Sequence, residues 1–197
     1  MKLGVTGGIG CGKTSVCRVF NVLGIPVFSS DAAARRIMDS DNEVIEKVKK
    51  VVGKDVYSSG SLDRPELARL IFNNEDLLKK INSIVHPFVF ESFELWAKSV
   101  SAPYVIMEAA ILIESGASKL VDRIVTVVAP VEERIERVVT RNNLTREQVL
   151  ERIKNQMSDE EKIRHSDYVI YNSEHEMIIP PILKIHDELL SLISKNL

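Results

Sequence analysis

The sequence predicts an α/β fold built on a parallel β-sheet, and three observations support this. A glycine-rich segment, residues 7–14, lies between a short apolar run and an amphipathic stretch. Runs that are apolar almost throughout, such as residues 123–128, are typical of parallel strands, which are buried on both faces. Stretches with helical spacing separate these runs, as in proteins that alternate strands and helices.

The glycine-rich segment fits G-x-x-x-x-G-K-[ST], the pattern of loops that wrap the phosphates of a nucleotide. The run before it, residues 2–6, ends in two β-branched residues and is a predicted buried strand. After it, apolar residues recur at helical spacing from Val16 to Leu23, and Gly24 ends the predicted helix. The order strand, loop, helix is the one that the motif requires, which disfavours a glycine-rich turn that matches by chance.

The residue types of this loop suit a nucleoside triphosphate with magnesium. Glycines allow positive φ angles, so that successive N–H groups point at an anion. The start of the following helix carries a partial positive charge. We expect Lys13 to bridge the β- and γ-phosphates and the Thr14 hydroxyl to hold Mg²⁺. The predicted nucleotide-binding residues of the loop are Gly8, Ile9, Gly10, Cys11, Gly12, Lys13, Thr14 and Ser15.

The composition is that of one globular domain and argues against several classes of protein. The 197 residues are 45% hydrophobic and 27% charged, so neither disorder nor a coiled coil is indicated. The net charge of −2 argues against a nucleic-acid partner. No apolar run approaches membrane-spanning length, and the chain begins with a predicted strand rather than a signal peptide. Cys11 and Cys17 lie where a structural disulfide is not expected, which suits a reducing cytoplasm.

Carboxylates follow two further predicted strands. Residues 25–28 lead to Asp31 at the start of a helix, at the sheet edge where open α/β sheets bind ligands. The local alternative is that Ser30 or Asp31 caps this helix. Glu108 follows the predicted strand 103–107 and is placed to hold magnesium through water or to contact the substrate. The alternative for Glu108 is an acid that faces water.

Residues 55–100 contain three predicted helices and no strand, which indicates an inserted helical lobe. The first helix begins after Asp63 and has an apolar face that includes Phe72. The second covers about residues 77–85, and the third runs from Pro87 to about residue 100. Two residues of this region are candidate substrate contacts: Arg64 and His86. The ordinary alternatives are that Arg64 faces solvent and that His86 lies in a turn.

Residues 132–141 form a predicted helix with three arginines on one face, beside Asn142-Asn143: Arg134, Arg137 and Arg141. On one stripe they suit a transferring phosphoryl group. The alternative is a solvated face on which Glu133 pairs with Arg137. Capping boxes at Thr145 and Ser158 begin two more helices, so residues 141–164 are a predicted lid that excludes water.

Several short motifs occur in one order along the chain: Gly4-x-Thr6-Gly7-Gly8-Ile9-Gly10-x-Gly12-Lys13, Asp31, Gly60-x-Leu62-x-Arg64, His86-Pro87, Ile111-Leu112-Ile113-Glu114, Arg137-x-x-x-Arg141, Gln156 and Asp167-Tyr168-Val169-Ile170-x-Asn172. From about residue 3 to 172 the chain resembles the dephospho-coenzyme A kinase family. The glycine motif is shared with many kinases, whereas the His-Pro pair and the last motif are specific to the resemblance.

The resemblance implies a P-loop NTPase fold, with a five-stranded parallel sheet flanked by helices, a helical substrate-binding lobe and a helical lid. It implies one kinase domain over residues 1–197, divided into a core (about 1–54, 101–140 and 165–197), a substrate lobe (about 55–100) and a lid (about 141–164). The activity implied is ATP-dependent phosphorylation of the ribose 3′-hydroxyl of dephospho-CoA, the last step of coenzyme A synthesis. We expect a monomer or a weak homo-oligomer.

The resemblance also assigns roles to residues. The implied catalytic residues are Asp31, Lys13, Arg137 and Arg141, and the substrate contacts are Asp31, Arg64, His86 and Glu108. Asn172 joins the nucleotide-binding residues, and Thr14 is the metal ligand. Two departures occur: Ser29-Ser30-Asp31 stands where the family often has Asp-Ala-Asp, and Glu108-Ala109-Ala110 where it often has Asp-x-Pro.

Two other functions remain open at this point. A P-loop kinase of another nucleotide or small hydroxyl compound would differ only in the helical lobe. A nucleotide-dependent switch is disfavoured because the sequence has neither an Asp-x-x-Gly switch element nor an Asn-Lys-x-Asp guanine reader.

Overall fold

The structure is a computed structural model that describes residues 1–53, 56–58, 60–71, 74–142 and 144–195. Phe72, predicted on an apolar helix face, and Asn143, predicted beside the arginines, lie outside these residues. By its internal contacts the chain divides into two compact units, Met1–Ser29 with Lys98–Leu197, and Ser30–Ala97. Nothing in this division tests the predicted roles of core, lobe and lid, which stay predictions.

The first unit is built on a parallel sheet. Within the described residues the sheet has five strands, in the order β2-β3-β1-β4-β5, and every neighbouring pair is parallel. The strands are β1 (Lys2–Thr6), β2 (Val27–Ser29), β3 (Val105–Glu108), β4 (Arg123–Val128) and β5 (Tyr168–Tyr171). All five carboxyl ends therefore lie at one edge, as the predicted fold requires.

The helices of the first unit are α1 (Lys13–Val22), α6 (Val131–Asn142), α7 (Arg146–Lys154), α8 (Asp159–Arg164) and α9 (Ile179–Ser194), with a 3₁₀ turn at Ala117–Leu120. Both predicted capping boxes are present, at Thr145 with Gln148 and at Ser158 with Glu161. These local signals place the starts of α7 and α8 where the sequence predicts them.

The main core joins the sheet to α1 and α9. The fully buried Leu3, Val5 and Val127 of the strands pack in one cluster with Phe20 of α1 and Leu189 of α9. Each such side chain stabilises the fold by about 1.5–3 kcal/mol relative to an exposed one. Since α1 follows the glycine-rich loop directly, this packing fixes the end of the loop against the sheet.

The second unit contains α2 (Ser30–Ser40), α3 (Asn42–Val52), α4 (Arg64–Ile71) and most of α5 (Glu75–Ser99). Asp41 caps α3 by accepting hydrogen bonds from Glu43 N and Val44 N, and Gly53 ends it with a positive φ of 67°. Asp63 begins α4 as predicted, because its carboxylate accepts from Glu66 N at 2.9 Å.

The prediction of two helices separated at Pro87 is wrong, since α5 is continuous from Glu75 to Ser99 with Pro87 inside it. Proline lacks the N–H for one helical hydrogen bond, which normally kinks or ends a helix. Burial outweighs that loss here: Ile81, Val85, Val89 and Phe93 are all buried and four residues apart, on one face that spans the proline.

Within the described ranges, no helix has both the length and the apolar character needed to cross a membrane.

Candidate active site

The glycine-rich loop connects β1 to α1 at the carboxyl edge of the sheet. Gly10 has φ 78° and Gly12 has φ 95°, left-handed values that other residues adopt at a cost. A Cβ on Gly12 would also collide with the side-chain amide of Asn172. Ser15 N and Val16 N both donate to Gly12 O, so α1 begins at the loop and directs its free N–H groups towards it.

Lys13 is folded over this loop. Its buried ammonium donates to Gly7 O at 2.9 Å and to Gly8 O at 3.2 Å. The charge therefore lies within the ring of backbone groups that the motif forms around a phosphate. Thr14, the next residue, is exposed at the second position of α1.

Asn172, which follows β5, lies against the same loop. Its side-chain nitrogen donates to Cys11 O at 2.8 Å, and its backbone N–H donates to Val128 O at 2.8 Å. The end of the last strand is thus joined to the phosphate loop across the sheet edge. The nucleotide-binding role of Asn172 stays a prediction.

The three arginines of α6 have separate partners rather than a common one. Arg137 donates to Glu133 Oε2 at 2.6 Å and, from both terminal nitrogens, to Asn172 O at 3.2 Å. Arg141 is exposed and donates to Asn142 Oδ1 at 2.8 Å. Arg134 is buried at 3% exposure and does not face solvent. The alternative pair, Glu133 with Arg137, is therefore present, and the catalytic roles of Arg137 and Arg141 stay predictions.

Arg134 and Gln156 both contact the backbone of Ile9 in the loop. Arg134 Nε donates to Ile9 O at 2.9 Å, and Ile9 N donates to Gln156 Oε1 at 2.9 Å. The N–H of Ile9, predicted to bind phosphate, is thus directed to a side chain of the segment between α7 and α8. This contact could not be predicted from local sequence patterns, because Ile9 and Gln156 are 147 residues apart.

Glu108 ends β3 beside the end of β2. Ser29 Oγ donates to Glu108 Oε2 at 3.1 Å, and the two residues are paired in the register of the sheet. The two departures from the family pattern therefore meet at one hydrogen bond. A serine hydroxyl and a glutamate carboxylate occupy these two neighbouring strand ends.

The second unit holds the other predicted contacts. Asp31, in the first turn of α2, is exposed and forms no hydrogen bond or ion pair with another described residue. The hydroxyl of Ser30 is buried and also lacks a partner among the described residues, so neither side chain caps α2. The local alternative of a cap is therefore not what the structure contains.

Arg64 and His86 have local partners within the second unit. Arg64 donates to Asp39 Oδ2 at 2.7 Å and to Arg35 O at 3.1 Å. His86 is half-buried within α5 rather than in a turn, and it stacks on Phe90 with 5.9 Å between ring centroids. Burial lowers the pKa of His86 below its usual 6.5. Their roles in substrate binding stay predictions.

A cleft of about 380 Å³ lies at the carboxyl ends of β4 and β5. Its lining residues are Val128, Ala129, Pro130, Tyr171, Ser173, His175 and Glu176. Tyr171 and Ser173 flank Asn172 in the chain, so the cleft adjoins the phosphate loop. The sequence carried no signal for it, because its walls come from two strand ends that are far apart in the chain.

Fold and site together define a P-loop nucleotide-binding protein: a parallel sheet, a glycine loop after its central strand, and a lysine held within that loop. The family model described as CoaE, dephospho-CoA kinase, matches residues 1–177. The chain belongs to the dephospho-CoA kinase family.

Individual relatives agree with this family. A dephospho-CoA kinase from Bacteroides fragilis is 41% identical over 186 residues, which cover 94% of this chain and 91% of the relative. A crystal structure of a Thermus thermophilus protein matches with a TM-score of 0.82 and 33% identity, over 97% of this chain and 96% of that one. A dephospho-CoA kinase from Campylobacter jejuni matches over the full length of both chains, with a TM-score of 0.67 and 25% identity.

Proposed function

We infer that this protein transfers the γ-phosphoryl group of ATP to the ribose 3′-hydroxyl of dephospho-CoA, giving coenzyme A and ADP. The observation that carries this inference is the family match over residues 1–177, on a chain whose phosphate loop has the required geometry. The bond from the 3′-oxygen to the γ-phosphorus forms, the bond from that phosphorus to the β,γ-bridging oxygen breaks, and ADP leaves.

ATP binding is the part of this function that the described residues support in most detail. The loop N–H groups and the start of α1 would hold the phosphates. The Lys13 ammonium has three N–H donors, so it would keep its bonds to Gly7 O and Gly8 O and donate its remaining hydrogen to a phosphate oxygen. Asn172 stabilises the loop from outside through Cys11 O. The adjoining cleft, with apolar walls at Val128 and Pro130, would take the nucleoside.

Magnesium would enter with the nucleotide. Among the described residues, no group of three His, Cys, Asp or Glu side chains is arranged to hold a metal ion. This fits Mg²⁺ at nucleotide sites, which is held by one or two protein oxygens, phosphates and water. Thr14, exposed at the start of α1, is the residue that would contribute the hydroxyl. Bound there, the ion would neutralise charge on the phosphates.

The transfer step needs a group that receives the proton of the 3′-hydroxyl. Asp31 is the proposed base, since its carboxylate is exposed and has no protein partner among the described residues. A general base contributes about 10²–10⁴-fold. Arg137 and Arg141 would stabilise charge on the transferring group, and such arginines contribute about 10³–10⁵-fold. Arg64, His86 and Glu108 are the proposed contacts of the acceptor.

We also propose separate roles for three parts of the chain. The core binds ATP, a helical lobe at about residues 55–100 binds the acceptor, and residues from about 141 to 164 form a lid. A cytoplasmic location and a monomeric or weakly associated state belong to the same proposal.

The deciding experiment measures ADP release by the purified protein with dephospho-CoA and with a panel of nucleoside monophosphates, and identifies the product by mass spectrometry. We expect turnover with dephospho-CoA alone and phosphate on the 3′-oxygen. Lys13→Met is the control that removes the loop ammonium and should abolish transfer. Turnover with a nucleoside monophosphate only would refute dephospho-CoA as the acceptor. The assignment to the P-loop kinases would still hold.

A further inference from the structure

The peptide groups on both sides of Ile9 are held by side chains from outside the phosphate loop. Ile9 N donates to Gln156 Oε1 at 2.9 Å, and Ile9 O accepts from Arg134 Nε at 2.9 Å. The Ile9 side chain packs against the buried cluster of Ile135, Val138 and Val149 between α6 and α7. Backbone and side chain of this one loop residue are therefore both fixed by the segment that follows β4.

These contacts orient the groups that face the phosphates, because a trans peptide places its N–H and C=O on opposite sides. The structure has no cis peptide among the described residues. With Ile9 N–H directed to Gln156, the carbonyl of the same peptide, Gly8 O, is turned the other way. That carbonyl accepts from the Lys13 ammonium at 3.2 Å and from Cys11 N at 3.3 Å.

The same geometry applies to the next peptide. Ile9 O is held by Arg134, so Gly10 N–H must point away from Arg134. The hydrogen bonds from Gln156 and Arg134 thus set the directions of two loop groups. These are Gly8 O, which accepts from Lys13, and the N–H of Gly10.

Arg134 is held by more than Ile9. It pairs with Asp159 at 3.0 Å, and its guanidinium lies so close to Gly8 that a Cβ there would collide with it. A charge at 3% exposure needs such a partner, because an unpaired buried charge costs several kcal/mol. Asp159 is the first residue of α8, so the position of Arg134 depends on α8.

The segment that carries Gln156 is itself fixed to the first unit. The next residue, Met157, donates its N–H to Glu114 Oε1 at 3.1 Å. The fully buried Lys162 of α8 bonds to the same carboxylate oxygen and to Ala110 O. Gln156 and Asp159 are thereby held at defined positions over the loop.

We propose that Gln156 and Arg134 are positioning residues for phosphoryl transfer, which set the Ile9 peptides so that Lys13 and the loop N–H groups meet the γ-phosphate. This inference rests on the proposed function and adds two residues to it. A reacting group displaced by about 1 Å can cost about 10²-fold in rate. The loss of either contact is therefore expected to appear in kcat.

The test compares variants that differ in one hydrogen bond. Gln156→Met keeps the length of the side chain and removes the acceptor, whereas Gln156→Glu keeps an acceptor oxygen. We expect kcat to fall about 10- to 100-fold in Gln156→Met and in Arg134→Met. The KM for dephospho-CoA should stay unchanged, the pattern of an interaction that acts on the transition state. Gln156→Glu should recover most of kcat.

A matched control comes from the start of β4, at the other edge of the sheet. Arg123 pairs with Asp167 at 3.5 Å, and this contact is exposed and does not involve the loop. Arg123→Met should retain wild-type kcat. All rates are divided by the folded fraction measured by circular dichroism under assay conditions.

Two results for the Gln156 variants would overturn the positioning role. Wild-type kcat in Gln156→Met, or an equal loss in Gln156→Met and Gln156→Glu, overturns the proposal. If Arg134→Met does not fold, the two Gln156 variants and Asp159→Asn, which weakens the Arg134 pair, still decide it. Wild-type turnover with dephospho-CoA tests the proposed function separately. If another acceptor is used instead, or only ATP hydrolysis is seen, the ratio of variant to wild type on that reaction tests the positioning role.

Discussion

Asn172 donates its side-chain amide to Cys11 O over 2.8 Å, and this hydrogen bond joins the end of the last strand to the phosphate loop. The same residue accepts two hydrogen bonds from Arg137 through its backbone carbonyl. The loop, the end of β5 and α6 therefore meet at Asn172. Its side chain bonds to the loop, and its backbone carbonyl bonds to Arg137 of α6.

Asn172→Ala should weaken ATP binding about fivefold, since it removes one hydrogen bond of about 1 kcal/mol that holds the loop. Asn172→Asp should weaken it further, because a carboxylate would face both Cys11 O and the phosphates. Isothermal titration with ATP measures both effects. Asn21→Ala, on the exposed end of α1, is the control, and an unchanged affinity in Asn172→Ala would contradict the role.

Gly12→Ala should weaken ATP binding by about 30- to 100-fold, because left-handed strain adds to the loss of the Asn172 contact. Gly24→Ala is a matched control, since Gly24 has a similar φ of 83° with no atom within 4 Å of an added Cβ. It should lose about 1–2 kcal/mol of stability and keep its ATP affinity. Equal ATP affinity in the two variants would show that the collision with Asn172 is harmless.

Arg141→Ala should lower kcat at least as much as Asp31→Asn, with ATP binding largely kept in both. A base contributes about 10²–10⁴-fold, and an arginine that stabilises the transferring group contributes about 10³–10⁵-fold. Steady-state kinetics with dephospho-CoA, together with ATP titration, separate turnover from binding. Arg152→Ala, exposed on α7, is the control. Turnover at the wild-type rate in Asp31→Asn would remove Asp31 from the mechanism.

The stability of the fold should depend on the ionisation of His86. Burial lowers the pKa of this histidine in the folded state, so the unfolded chain takes up a proton more readily. Its contribution is fully present above the unfolded pKa of about 6.5 and is lost as the pH falls through the folded value. Urea unfolding at pH 8 and pH 5.5 measures this. His86→Phe keeps an aromatic ring against Phe90 and should lose less unfolding free energy between pH 8 and pH 5.5 than the wild type. An identical loss would show that other groups cause the pH dependence.

Elements with local signals were predictable from the sequence. The strands predicted at residues 2–6, 25–28, 103–107 and 123–128, both capping boxes and the Asp63 start of α4 depend on neighbouring residues, and each is found within two residues of the predicted position. The continuous α5 was not predictable, because burial of Val85 and Val89 around Pro87 outweighs the local preference of proline.

The candidate site also has parts that were predictable from the sequence and parts that were not. The loop from Gly7 to Thr14 is a contiguous motif, so its position follows from pattern alone. Arg134 was grouped with Arg137 and Arg141 by helical spacing, yet its burial depends on Asp159, and its bond to Ile9 on how α6 packs. Contacts set by tertiary packing leave no local pattern, which is why the bond between Ile9 and Gln156 and the cleft beside Tyr171 were not predicted.

The burial of Lys162 limits how far α8 can move. Separating this ammonium from Glu114 would leave a buried charge without its partner, at a cost of about 3–5 kcal/mol. By contrast, the exposed Arg146–Glu132 pair at the start of α7 contributes at most about 1 kcal/mol. Breaking its ion pair therefore costs more at α8 than at α7, where the buried Val149, packed against Ile135 and Val138, is the stronger attachment to α6. Lys162 is thus the contact that ties α8 to Glu114 and Ala110.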